Sequence, residues 1–170
     1  MIGMTQKMIE IKIANALSDL LLIEQLADTI WREHYIPIIG LEQVDYMLDK
    51  YQSAESMKNQ IKNGSSYYTI YYDTTSVGYL SFKQEKDVIF LSKVYVLHNF
   101  RGKKIGKKAM TFVENKTKEL GLSKIHLGVN KYNTTAIKAY EKLGFKNIGP
   151  SVTDIGSGFI MDDFKMEKIL

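Results

Sequence analysis

Ile9, Ile11 and Ile13 alternate with polar residues, a period of two that predicts a first strand. The period then lengthens: Leu21, Leu22, Leu26, Ile30 and Trp31 recur at helical spacing, with Ser18 as the predicted N-cap and Asp19 in the first turn. Pro37 and Gly40 predict that this helix frays between Tyr35 and Gly40. A second helical pattern runs from about Leu41 to Tyr51, and Ser53 is the expected cap of a third that ends near Gly64.

From Tyr67 the period returns to two. Tyr67 to Tyr72 and Val77 to Phe82 are dense in β-formers on either side of a polar turn, Asp73 to Ser76. Val88 to Leu97 follows the charged turn Gln84 to Asp87, and three strands so closely connected predict an antiparallel meander. Gly102 to Leu120 is a long helical pattern (Ile105, Ala109, Phe112, Val113) stopped by Gly121. A strand at Ile125 to Val129, a helix at Thr134 to Leu143 closed by Gly144, and strands near Phe145–Ile148 and Phe159–Met166 complete the pattern. Asp162 and Asp163 interrupt the last strand, where a plain surface turn is the simpler reading than a bulge or an amine-attracting rim. No repeat, linker or low-complexity segment divides residues 1–170, so a single α+β domain is expected.

Composition narrows the chemistry. At 170 residues and 45% apolar content, the chain has material for one substantial core. It has no cysteine, which excludes disulfides, thiolate zinc sites and cysteine nucleophiles. His34, His98 and His126 are not paired at helical ligand spacing and argue against a histidine-built metal site. Met1 to Glu10 shows no apolar core of signal-peptide length and no apolar run reaches membrane-spanning length, so a cytoplasmic protein without a membrane partner is expected. The net charge of +4 hides an asymmetry: residues 1–100 carry 9 basic and 12 acidic side chains, residues 101–170 carry 14 and 7. The second half is expected to meet an anion.

The segment from Val94 to Lys108 says which anion. A strand runs into a short turn, and a helix starts around Gly102 and Gly106, presenting unpaired N–H groups and the positive end of its dipole. Arg101, Lys103, Lys104, Lys107 and Lys108 add positive charge, which suits a pyrophosphate with a further phosphate nearby. Nucleic-acid binding would interleave aromatics with these basic residues, whereas Ile105 and Phe112 belong to the apolar face of the helix. A nucleotide-triphosphate P-loop is excluded because no Gly-Lys-Ser/Thr follows the glycine.

This segment resembles the phosphate loop of the GCN5-related N-acetyltransferase (GNAT) superfamily, with Arg101 first and Gly106 last; Lys104 stands where a middle glycine is usual. Lys104 is expected to adopt a helix-initiating backbone of negative φ. A second block is similar to the superfamily's last conserved stretch: Asn133, Ala139, Tyr140 and Gly144-Phe145 after a strand. The string Ile30-Trp31-Arg32-Glu33-His34-Tyr35 resembles the polyamine- and diamine-type branch, although Trp31 and His34 in isolation read as packing residues.

The resemblance implies a mixed, mostly antiparallel sheet of six to seven strands splayed at its centre and flanked by four to five helices. It divides the chain into residues 1–65, a strand with substrate-side helices, and residues 67–170, a coenzyme-binding core. It implies acetyl-coenzyme A as co-substrate and an amine as acceptor, a small amine or polyamine first among the candidates. The pantetheine arm would pair with Val94, Tyr95 and Val96, and the Val96 N–H would stabilise the oxyanion. The phosphates would sit on Arg101, Gly102, Lys103, Lys104, Ile105, Gly106 and Lys107, while Asn133, Tyr140 and Lys142 would touch the remainder of the coenzyme. Tyr140 is the implied general acid, since a phenol near 10 and a thiol near 8.5 lie within range for proton transfer. Some relatives carry a glutamate as base on the strand before the loop; here that stretch reads Leu91-Ser92-Lys93, leaving Glu33, His34, Glu85 or water. Acetylation of a protein N-terminus or lysine, and a non-catalytic acyl-coenzyme A sensor, are the alternative functions. A homodimer is compatible with the sequence, which holds no feature that demonstrates one.

Overall fold

The computed structural model describes residues 8–170. The expectation for Met1 to Glu10 therefore falls mostly on residues 1–7, outside the described residues. The elements follow in the order β1 (Ile9–Ile13), α1 (Leu17–Ile39), α2 (Leu41–Gln52), α3 (Ala54–Lys62), β2 (Ser65–Tyr72), β3 (Thr75–Glu85), β4 (Val88–Val96), a 3₁₀ turn (His98–Phe100), α4 (Ile105–Glu119), β5 (Lys124–Asn130), α5 (Thr134–Lys142), β6 (Lys146–Gly156) and β7 (Phe159–Ile169). Seven strands form one sheet in the order β1-β2-β3-β4-β5-β7-β6. Every pairing is antiparallel except β4 with β5. The α+β architecture with a mostly antiparallel sheet is as expected.

Alternation along the strands divides the core into two layers. Ile70, Leu80, Leu91, Ile125, Leu127 and Met166 meet Ile105, Ala109 and Val113 of α4 on one face. Tyr67 and Tyr79 meet Leu20, Ile23, Ala27 and Trp31 of α1 on the other, with Val44 and Met57 behind them. The second layer contains polar atoms, and its aromatic hydroxyls are satisfied: the Tyr79 hydroxyl accepts from Trp31 Nε1 at 3.0 Å and donates to Gln52 Oε1 at 2.5 Å. Gln52 Nε2 in turn donates to the Tyr67 hydroxyl at 3.2 Å, which itself donates to Gln60 at 2.6 Å. Such a closed network removes the cost of burying these groups and fixes α1, α2 and α3 on the sheet. Trp31 is a packing residue, as its sequence context predicted.

Several boundaries differ from expectation for identifiable reasons. Ser18 is not the cap of α1: Ala16 is, and Asp19 reaches back to the N–H groups of Asn15 and Ala16 at 3.3 and 3.1 Å. Pro37 does not fray the helix; α1 runs through it to Ile39 and ends at Gly40, whose φ is +86°. A proline so near the end forfeits a single hydrogen bond in the last turn. The turns are tighter than predicted, because β3 begins at Thr75 and ends at Glu85, leaving two-residue connections. The helix predicted from Gly102 begins at Ile105. Asp162 and Asp163 do not form a surface turn: both lie inside β7, opposite Val152 and Ser151 of β6.

Candidate active site

Parallel pairing of β4 with β5 is confined to two positions, Ile89 with Ile125 and Phe90 with His126. Just beyond them Ser92 is an extra residue in β4, since Ser81 pairs with Lys93 but Phe82 with Leu91, and the Ser92 hydroxyl donates to the Ser81 carbonyl at 3.1 Å. A bulge bends its strand, and from this point β4 and β5 diverge. Leu97 donates its N–H to Val77 of β3 at 2.8 Å. By the two-residue alternation, Tyr95 also turns its main chain to β3, which leaves the N–H groups of Val94 and Val96 facing the gap.

The gap is a cavity of about 440 Å³. Its walls include Lys93, Val94, Tyr95 and Val96 of β4, Leu127 to Val129 of β5, Asn133, Ala136 and Tyr140 at and within α5, and His34 and Tyr35 of α1. Arg101, Gly102, Lys104, Ile105 and Gly106 close one end. There the N-terminus of α4 presents the N–H groups of Ile105, Gly106 and Lys107, the first intrahelical bond being Lys108 N–H to Lys104 C=O at 3.1 Å. Arg101, Lys103, Lys104, Lys107 and Lys108 are exposed there, with no ion pair among the described residues. Anion binding is what such an end does.

Lys104 does not take the negative φ expected of it. Its φ is +64° and ψ +17°, in the left-handed region, and Gly102 before it has φ +80°. Glycine is the residue for which that conformation is free, so Lys104 carries a strain that the superfamily's usual residue would not.

Asn133 is the N-cap of α5, its Oδ1 accepting from Ala136 N–H at 3.3 Å, and only 6% of it is exposed. Its Nδ2 donates to His34 Nε2 at 2.8 Å. His34 is therefore a cavity residue, not mere packing. Its pKa is lowered, first by burial and then by the Arg101 guanidinium. Tyr35 and Tyr95 share a hydrogen bond between hydroxyls at 3.1 Å. Tyr140 stacks edge-on against Phe145 at 5.7 Å, and burial, aided by Tyr35, raises its pKa above the ordinary phenol value. The free-phenol value assumed from sequence thus understates how firmly Tyr140 holds its proton.

Lys93 lines the cavity without an ion pair or hydrogen bond among the described residues, and burial pushes its ammonium down to about 8. Glu85 sits at the far end of the β3–β4 hairpin, opposite Val88, and Glu33 is exposed on α1. Neither lines the cavity. Lys103 lies over the Tyr72 ring at 5.7 Å, while Lys107 and Lys142 are exposed, outside the lining. Sequence reasoning did not single out Lys93 or Tyr35 as cavity residues, and at Asp163 it set an amine-attracting rim behind a plain surface turn. Asp163 Oδ2 lies 3.3 Å from where a Cβ on the cavity residue Gly128 would be.

The Acetyltransferase (GNAT) family model matches residues 23–145. The chain belongs to the GNAT acetyltransferase family. It is an acetyl-coenzyme A-dependent N-acetyltransferase, with acetyl-coenzyme A as co-substrate. It is similar to the spermidine N(1)-acetyltransferase of Thermoplasma acidophilum, 28% identical over 152 residues that cover 86% of this chain and 92% of that protein. The PaiA N-acetyltransferase of Thermoplasma acidophilum, solved in complex with coenzyme A, superposes with a TM-score of 0.80 at 25% identity, covering 96% of this chain and 99% of that one. A GCN5-related N-acetyltransferase from Rhodopseudomonas palustris shares the fold at a TM-score of 0.78 and 13% identity, over 100% of this chain and 99% of that one. No helix among the described residues is long and apolar enough to cross a membrane.

Proposed function

We propose that this enzyme acetylates the primary amine of a small cationic acceptor, a polyamine or diamine, within the β4–β5 gap. One observation carries the reading: a single cavity joins the cationic N-terminus of α4 to the polar pair Tyr35–Tyr95 beneath α1. A likeness to a spermidine N(1)-acetyltransferase supports the acceptor class. So does the balance of −3 over residues 1–100, which attracts cations.

In this reading residues 1–170 work as one domain, with residues 1–65 shaping the acceptor side and residues 67–170 holding the coenzyme. Phosphates rest on the N–H groups of Ile105, Gly106 and Lys107, with Arg101 and Lys104 supplying charge. Val94 and Val96 pair with the pantetheine arm as a neighbouring strand would. Asn133 holds the arm from the α5 side. Nucleophilic attack drives charge onto the thioester oxygen, where the Val96 N–H is already oriented and needs no reorganisation. Burial makes a free Tyr140 phenolate unfavourable, so Tyr140 passes its proton to the departing thiolate as it takes the second proton from the acetylated nitrogen. The protein acts in the cytoplasm.

A thiol-release assay with acetyl-coenzyme A against diamines, polyamines, amino acids and lysine peptides tests this. Turnover confined to diamines and polyamines supports the reading. Turnover on peptides alone reassigns the acceptor, and coenzyme binding without turnover on any amine makes the protein a sensor.

A further inference from the structure

An acceptor amine reaches the enzyme as an ammonium ion, so something must receive its charge and remove a proton before nitrogen can attack. The carboxylates singled out from sequence are absent from the cavity: Glu33 is exposed on α1, and Glu85 lies past the closed end of the gap. β4 offers the opposite charge, Lys93. The remaining place is β7, which pairs with β5 and carries Asp162, Asp163 and Glu167.

Two of these three are occupied. Asp162 is ion-paired with Lys131, and Glu167 Oε2 lies 2.7 Å from His126 Nε2. Asp163 has neither an ion pair nor a hydrogen bond among the described residues, although it is partly buried. Asp163 is not itself on the cavity lining: it stands behind Gly128, which is, and which has no side chain to come between them. Any larger residue there would meet the carboxylate, because a Cβ would already stand 3.3 Å from Oδ2. Asp163 also acts through space on the Tyr35 hydroxyl, itself bonded to Tyr95 at the cavity wall. The charged neighbours are Asp162 beside it and Lys165 two residues along the strand, the latter exposed.

We propose that the Asp163 carboxylate is the acceptor's proton acceptor: it binds the incoming ammonium across Gly128, between β5 and Tyr35, and takes one of its protons. This rests on the amine-acetylating reading above. Burial and the adjacent Asp162 push the Asp163 carboxyl up to about 6, which makes it a better base than a free carboxylate and still ionised at neutral pH. The balance is complete. The ammonium gives one proton to Asp163, and the neutral nitrogen forms its bond to the thioester carbon. The tetrahedral adduct breaks its C–S bond, the thiolate takes a proton from Tyr140, and the second nitrogen proton restores Tyr140. Asp163 then releases its proton to solvent. Lys93, on the facing strand, repels a second ammonium and so favours entry of one amine end along the β5–β7 side.

The test compares Asp163→Asn, Asp163→Glu and Asp162→Asn with the wild type, reading kcat and KM for a polyamine and for aniline, which is uncharged at neutral pH, and coenzyme affinity by calorimetry. Asp163→Asn should lose about 100-fold in kcat/KM for the polyamine, the usual scale for an acid–base group. Its loss with aniline should be roughly tenfold smaller, because no proton needs removal before attack. Coenzyme affinity should be unchanged, Asp163→Glu should recover part of the loss, and Asp162→Asn, which removes the neighbouring charge that raises the Asp163 carboxyl, should lose less than Asp163→Asn. Equal losses on both acceptors, or no loss, overturn the assignment. A wild type inactive on every alkyl amine overturns the acceptor reading first, and the assignment with it.

Discussion

Asn133 donates from its side-chain amide to His34 Nε2 at 2.8 Å, joining the N-cap of α5 to the C-terminal part of α1 across 99 positions of sequence. The bond requires a neutral imidazole with its proton on Nδ1, and burial beside Arg101 favours that neutral form. It closes the cavity between the layer that packs on α4 and the layer that packs on α1. Asn133→Ala removes both this tie and the cap to Ala136. Stability should fall by about 1 kcal/mol, the ordinary value of a cap, and the Kd for acetyl-coenzyme A should rise, both measurable on one sample by calorimetry. The sign of the pH effect follows from the lowered pKa. Unfolded chains protonate His34 near the ordinary histidine value of 6.5, before the folded protein does. Stability is therefore lost as pH falls below that value, and His34→Gln should flatten the slope.

Lys104 stands at φ +64°, and Lys104→Gly should relieve this strain. An L-residue in the left-handed region costs roughly 1 kcal/mol, so thermal unfolding should shift up by about 2–4 °C for a chain of this length. A lowered Tm would show that the lysine side chain compensates for its own backbone.

Gly78 faces β4 where the gap opens. A Cβ there would stand 2.2 Å from the Tyr95 carbonyl oxygen, a backbone atom with nowhere to go. Gly78→Ala should destabilise by more than about 2 kcal/mol, visible as a lower denaturation midpoint, and coenzyme binding should weaken because β4 must move.

Lys93 has its pKa lowered from 10.5 to about 8 by burial. Between those values the unfolded chain holds the proton and the folded one does not, so stability climbs as pH rises through that window. Lys93→Met should abolish the climb and stabilise the protein at neutral pH. Denaturant titrations at neutral pH and within the window check both statements.

Tyr140→Phe keeps the ring against Phe145 and removes the hydroxyl proposed to protonate the thiolate. Turnover should drop by about 100-fold with coenzyme affinity retained.

What the sequence made legible was local. The period changes located the seven strands and five α-helices of the described residues, although β6 runs on to Gly156, well past the expected Ile148; the blocks around Arg101 to Gly106 and Asn133 to Tyr140 pointed to the coenzyme, because each is a contiguous stretch that can be read without its distant partners. Asp163 looked like a break in a strand because its meaning lies in register: only when β7 pairs with β5 does it lie over Gly128. His34 and Tyr35 are ordinary α1 residues until Asn133 and Tyr95 arrive from 99 and 60 positions away. The backbone of Lys104 was misjudged for a different reason: the left-handed turn is imposed by the start of α4, not by the preference of the residue.

Gly106 offers the most direct test of where the coenzyme binds. A Cβ there meets nothing within 4 Å, so Gly106→Glu should fold, and an acidic side chain in the first turn of α4 suits the helix. The same carboxylate would oppose phosphates on the N–H groups of Ile105, Gly106 and Lys107. Titrating acetyl-coenzyme A into wild type and variant by calorimetry should give one-to-one binding in the first and at least about tenfold weaker binding in the second, with Tm unchanged. No binding to the wild type, or equal affinity in both, would contradict a coenzyme held at the N-terminus of α4.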